Sequence, residues 1–298
     1  MRTTPPAWSR EIPCPTVRNP AFDEPFFRLA RRKTVVMGVL NVTPDSFFDG
    51  GRFLEADTAR RHAQRLTEAG ADIVDIGGAS SRPGAEVVDP EEERNRILPV
   101  IEALEENGPP LSVDTYRAET ARRALDAGAR MINDITALRG DPAMAEVLAS
   151  AGCECVLMHM QGAPKSMQEA PHYEDVVDDI RRFFEERLNH AVRQGVAEER
   201  IWLDPGFGFG KTVQHNLRLL RRLGEFKGLG RPLLVGTSNK STIGKVLDAP
   251  ADQRTEGTAA TVAIAIAHGA SAVRVHDVET MGRVARMSDA VMGRMHND

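Results

Sequence analysis

The chain has 298 residues, 41% of them hydrophobic, and carries 38 lysines and arginines against 43 aspartates and glutamates, a net charge of −5. That composition supplies a sizeable core and excludes the basic surface that holds nucleic acid. Three cysteines (Cys14, Cys153, Cys155) make no disulfide framework, no second pair completes a metal set with Cys153 and Cys155, and no run reaches the length of a membrane span or signal-peptide core. The expectation is a soluble cytoplasmic protein without a nucleic-acid or membrane partner.

Residues 1–33 are rich in proline and poor in periodic apolar positions, and they end in the basic cluster Arg28, Arg31, Arg32 and Lys33. They read as an N-terminal extension packed on the outside or bottom of a domain spanning 34–298. From residue 34, apolar β-branched runs alternate with longer stretches of helical period. Strands are expected at 35–42, 72–78, 111–114, 131–135, 154–160, 201–206, 232–238 and 272–278. Helices fill the gaps, at 57–69, 90–106, 117–127, 142–151, 174–194, 214–223, 252–268 and 279–294. Eight strands apolar on both faces, each followed by a helix, predict an α/β fold, a (β/α)8 TIM barrel. Gly70, Gly128 and Gly269, each just before a strand, are expected to end helices. A doubly wound open sheet is the alternative fold.

The stretch "DPGFGFGKT" (204–212) looks like a phosphate cradle, but its spacing fails. Counting back from Gly210-Lys211-Thr212 puts Pro205 where a nucleotide loop needs its first glycine. What remains is a strand ending in Asp204 and a glycine loop with two phenylalanines.

In a parallel barrel the active site lies at the C-terminal ends of the strands. The polar residues there are Asn41, Asp75, Asp114, Asn133 with Asp134, His159, Asp204, the run Ser238 to Ser241, and Arg274 with His276. Taken singly, each has a structural reading as a cap or turn former. Asp75 and Asp134 are expected to be structural, and His159 a hydrogen-bonded core histidine. Strand alternation puts Arg274 and His276 on one face. Carboxylates and an Asn suit a flat heterocycle with several N–H groups, and Arg82, Arg274 and His276 suit a phosphate-like group. Asn41 offers one oxygen to a hard cation such as Mg²⁺.

The segments "MGVLNVTPDSFFDGG" (37–51), "DIGGASSRPGA" (75–85), "SVDTY" (112–116), "INDI" (132–135), "LMHMQGAPKSMQ" (157–168), "LDPGFGFGKT" (203–212), "VGTSNKSTIG" (235–244) and "VRVHDV" (273–278) resemble, in order, the motifs of the dihydropteroate synthase family. The resemblance spans about residues 34–294. It implies a transferase that joins 6-hydroxymethyl-7,8-dihydropterin diphosphate to p-aminobenzoate, with loss of pyrophosphate and with Mg²⁺ as cofactor. It implies a pterin pocket of Asp114, Asn133, Asp204 and Lys240, diphosphate contacts from Arg274 and His276, and metal contact from Asn41. Ser81 and Arg82 would help build the aminobenzoate pocket, with Ser241 at that substrate's carboxylate and Phe209 near its ring. Asp114, Lys240 and Arg274 would carry the catalysis. A homodimer through barrel helices and sensitivity to sulfonamides are further implications.

Three positions depart from the family's pattern. Ser81 replaces a Thr, Ala79 stands where a polar residue is common, and Asn239 replaces an Arg before Lys240. The last removes a cation on the aminobenzoate side, which bears on sulfonamide sensitivity. Two alternatives share the pterin pocket: a corrinoid-dependent methyltransferase and a binding paralogue without catalysis.

Overall fold

The computed structural model describes residues 25–42, 52–79, 88–104, 108–162 and 166–294. Eight parallel strands run β1 (Val35–Asn41), β2 (Ile73–Gly77), β3 (Leu111–Asp114), β4 (Met131–Asp134), β5 (Glu154–Met158), β6 (Ile201–Asp204), β7 (Leu234–Val235) and β8 (Ala272–Val275). Each pairs with its sequence neighbours, β8 returns to β1, and a single bridge between Leu203 and Leu233 closes β6 on β7. That closure makes the sheet a barrel and removes the open-sheet alternative.

The helices are α1 (Phe26–Leu29), α2 (Arg52–Glu68), α3 (Pro90–Leu104), α4 (Ala118–Asp126), α5 (Met144–Ala151), α6 (Val176–Arg193), α7 (Val213–Arg221), α8 (Ser241–Leu247), α9 (Thr255–Ala267) and α10 (Val278–Val291). α1 and α8 are additions to the expected set. The seven residues of α8 are too few to show a helical period. Gly70, Gly128 and Gly269 do end helices, at φ of 104°, 108° and 105°, a conformation that costs glycine least.

Alternation along the strands sorts the core into two. Outward residues such as Val36, Val74, Val113, Ile132, Leu157, Leu203 and Val273 pack beneath the helices. Inward residues Val35, Met37, Ile73, Met131, Val156, Trp202, Leu234 and Ala272 fill the lower barrel. Phe26 of α1 closes that layer from below. It is held by a buried carboxylate: Glu154 accepts from the Phe26 N–H at 2.6 Å, the Phe27 N–H at 3.2 Å and the Trp202 indole at 2.6 Å. Burial pushes the Glu154 carboxyl up from its ordinary value, opposed by these donors. Apart from Glu154, the bottom is plugged by apolar side chains, and the polar inward residues lie above it.

Candidate active site

The upper interior holds Asp75 from β2, Asp114 from β3, Asn133 from β4, Asp204 from β6 and Arg274 from β8. A cleft of about 460 Å³, open mouth included, is lined by Asp114, Asn133, Asp204, Lys240, Arg274 and His276. Its apolar walls are Ile135, Met158, Phe207 and Phe209. Six of the expected site residues, with Phe209, therefore meet in one place.

Arg274 organises the charges. Its Nε donates to Asp75 Oδ2 at 2.7 Å and its Nη2 to Asp114 Oδ2 at 3.1 Å. Burial works against the guanidinium charge, but the two carboxylates outweigh it and hold its proton more tightly than usual. Burial likewise raises Asp114 to about 7, against the attraction of Arg274 and with the repulsion of Asp75. Asp204 is also raised by burial, and the Gly206 N–H and Lys240 pull it back. Among the described residues Asn133 Oδ1 is buried without a partner, an acceptor ready for a ligand N–H. Together these groups present hydrogen-bond acceptors to a planar ring and cations to an anion.

The glycine loop after β6 supports this cleft from below. Its amides are consumed internally: Gly206 N–H goes to Asp204 Oδ1 at 2.7 Å, Gly208 N–H to Asn216 Oδ1 at 2.9 Å and Phe209 N–H to Gly206 O at 3.0 Å. A cradle for phosphate needs such N–H groups unspent. Gly206, at φ 68°, lies so close to the end of β5 that a Cβ there would fall 1.9 Å from His159 O. Lys211 ties the two together. Its Nζ donates to Gly206 O at 2.9 Å and Phe209 O at 3.0 Å, and lies 3.0 Å from His159 Nδ1. Burial lowers Lys211 to about 7, while Asp204 favours its charge. The loop so fixed presents the Phe209 ring, with Lys240 Nζ 4.1 Å from its centroid.

Three residues take the structural roles expected of them or fall beside them. Asp134 points outward and accepts from Thr136 N at 2.7 Å and Leu138 N at 2.8 Å, capping the turn after β4. His159 is a buried histidine whose proton affinity is driven well down by burial and by Lys211. Asp75, also expected to be structural, is the closer of the two carboxylates paired with Arg274, at 2.7 Å against 3.1 Å for Asp114. Only Arg274, 199 residues away, gives Asp75 meaning.

Ser238, from the polar run after β7, lines the cleft with its Oγ 3.0 Å from His276 Nδ1. Ser241 opens α8 at the rim, exposed and outside the cleft lining. Asn41 ends β1, half-buried, beside Gly77; a Cβ on Gly77 would lie 3.7 Å from both Asn41 Oδ1 and Asp114 Cβ. Asn239 has φ 57°, a left-handed conformation that Asn tolerates better than most residues, and its carbonyl accepts from Arg254 Nη1 at 2.9 Å. Ser81 and Arg82 lie outside the described residues.

The chain matches the description "pterin binding enzyme" over residues 37–276 and belongs to that family. The dihydropteroate synthase of Synechocystis sp. is 49% identical over 262 residues, covering 87% of this chain and 91% of its own. A Yersinia pestis dihydropteroate synthase solved with a sulfonamide drug superposes with a TM-score of 0.83 at 46% identity, covering 88% of this chain and 95% of that one. The enzyme from Xanthomonas albilineans in complex with 7,8-dihydropteroate gives 0.78 at 42% identity, covering 87% and 94%. The activity is dihydropteroate synthesis, a transfer of the pterin methylene from diphosphate to p-aminobenzoate with release of pyrophosphate.

Proposed function

We propose that the cleft performs this condensation dissociatively, with Asp114, Asn133 and Asp204 holding the pterin by its N–H edge. The observation that carries the reading is the convergence of these three acceptors with Lys240, Arg274 and His276 around one cleft. Arg274 and His276 take the diphosphate. The C–O bond to the pterin methylene breaks, and its electron pair leaves with pyrophosphate. The methylene cation that results is stabilised by the Asp114 carboxylate, an interaction absent from the ground state. The arylamine nitrogen then forms the new C–N bond and gives up its proton. Lys240, stacked on Phe209, holds the pterin on its other side and keeps the ring plane fixed. Ser81, Arg82 and Ser241 receive the aminobenzoate; the rim position of Ser241 supports a contact made outside the pterin pocket.

The donor set fits a magnesium ion shared with substrate. Among the described residues no group of three His, Cys, Asp or Glu side chains could hold a metal, whereas Asn41 offers a neutral oxygen beside the space left by Gly77. Mg²⁺ accepts few protein ligands when phosphate and water supply the rest. Its chemistry there is charge neutralisation on the diphosphate. Purified protein given both substrates and Mg²⁺ is expected to release pyrophosphate and dihydropteroate in equal amounts. Asn41→Ala is expected to raise the Mg²⁺ requirement. Binding of the pterin diphosphate without pyrophosphate release would leave a binding protein, and unchanged affinity in excess EDTA would remove the metal from the site.

The same reading extends to assembly and compartment. Exposed apolar side chains gather on three consecutive helices: Val246 and Leu247 on α8, Ile264 on α9, and Met287 (66% exposed) and Val291 (72% exposed) on α10. Such a patch supports a homodimer through this face. Sedimentation of the 32.6 kDa chain is expected to give twice that mass, and a monomer would refute it. Free, buried Cys153 and Cys155 support a reducing cytoplasm.

A further inference from the structure

Asp75 makes none of the substrate contacts proposed above, and its surroundings assign it another task. It is completely buried, between Val39 of β1 and Ser112 of β3 in register. Oδ2 accepts from Arg274 at 2.7 Å and, at 3.4 Å, from Asn133 Nδ2. Among the described residues Oδ1 has no partner, nor does the Ser112 hydroxyl beside it. A side chain needed only to fill the core would be apolar, because a buried carboxylate with an unspent oxygen is costly.

The charge count explains its presence. Arg274 with Asp114 alone would be a neutral pair, and a neutral pair is a poor stabiliser of a nascent cation. Asp75 grips the Nε edge of the guanidinium and turns its Nη2 toward Asp114. The three groups then carry a net charge of −1 when both carboxylates are ionised. Resting on the mechanism proposed above, we propose that Asp75 is a positioning residue for the reaction, orienting Arg274 and supplying, from behind the cleft, the net negative charge that lets Asp114 stabilise the methylene cation.

The arrangement has a signature that a purely structural role lacks. The charges acting on Asp114 include Arg274 on β8, Asp75 on β2, Glu93 on α3 and Asp134 on β4, and Asp204, Lys240 and His276 share its cleft. Glu93 is bonded to Arg117 at 2.6 Å, and Asp134 is spent on its own turn, which leaves Asp75 as the repulsive neighbour sharing its cation. The Asp114 carboxyl, raised to about 7 in the native chain, must lose its proton to act, so turnover rises with pH through that value.

The test is a ¹³C titration of aspartate carboxyls in the substrate-free protein, with Asp114→Asn to assign the signal, alongside pH–rate profiles. In Asp75→Asn, the Asp114 midpoint and the acid limb are expected to move down by about one to two pH units, the effect of removing a charge a few ångströms away. Turnover is expected to fall more than about tenfold while the Michaelis constant for the pterin diphosphate stays within about threefold. An unmoved midpoint, or a loss confined to the Michaelis constant, overturns the proposal. If Asp75→Asn does not fold, Asp75→Ser in the same titration decides: an Asp114 midpoint moved down supports the proposal, and an unmoved one overturns it. The titration needs no turnover, so a protein without synthase activity would refute the function reading and leave this test standing.

Discussion

Asp114→Asn is expected to lower turnover by about 10²–10³-fold, the usual loss when one preorganised stabilising group is removed from a reacting centre. Affinity for the pterin diphosphate should fall far less. The amide keeps the volume of the carboxylate, can still accept from Arg274 Nη2, and leaves Asn133 and Asp204 in the pocket. What it loses is the charge, and the charge meets its partner only once the methylene cation forms. Single-turnover rates and calorimetry on the same preparation check both halves. Affinity lost in proportion to rate would make Asp114 a wall of the pocket and nothing more.

Arg274→Met should be the most destabilising change at the site as well as an inactivating one. Asp75, 0% exposed, would be left with Asn133 at 3.4 Å as its remaining hydrogen-bond partner. Removing one member of a buried pair costs about 3–5 kcal/mol, because the other charge stays buried. The half of the guanidinium that faces the cleft contributes less, since water and substrate reach it. Urea unfolding should show the loss, and adding Asp75→Asn to Arg274→Met should recover part of it. Additive losses in that double variant would mean the two side chains are not coupled in the fold.

Several features were legible in the residues alone because they depend on short-range rules. Strand–helix alternation, set by where β-branched runs and helical periods fall, predicted the barrel, and glycines at 70, 128 and 269 marked helix ends. The failed spacing of "DPGFGFGKT" excluded a nucleotide loop, and the structure adds why: its amides are already bonded within the chain. Asp114, Asn133, Asp204, Lys240, Arg274 and His276 were identifiable because a parallel barrel gathers strand ends at one mouth.

Sequence by itself thus determined which elements form, in what order, and which polar residues reach the catalytic face, since all of these follow from local periodicity and parallel connectivity. Only the tertiary structure decided which polar residues touch. Asp75 read as structural, and barrel closure, which brings β8 beside β1, carries Arg274 across 199 residues to its Oδ2. Lys211 read as part of a motif, yet its meaning is a set of bonds to Gly206, Phe209 and His159. A seven-residue helix at Ser241–Leu247 could not declare itself by period, and the structure shows that it starts at Ser241. Charges and hydrogen bonds act over a few ångströms in space, and one strand's pattern carries no record of what faces it across a closed barrel.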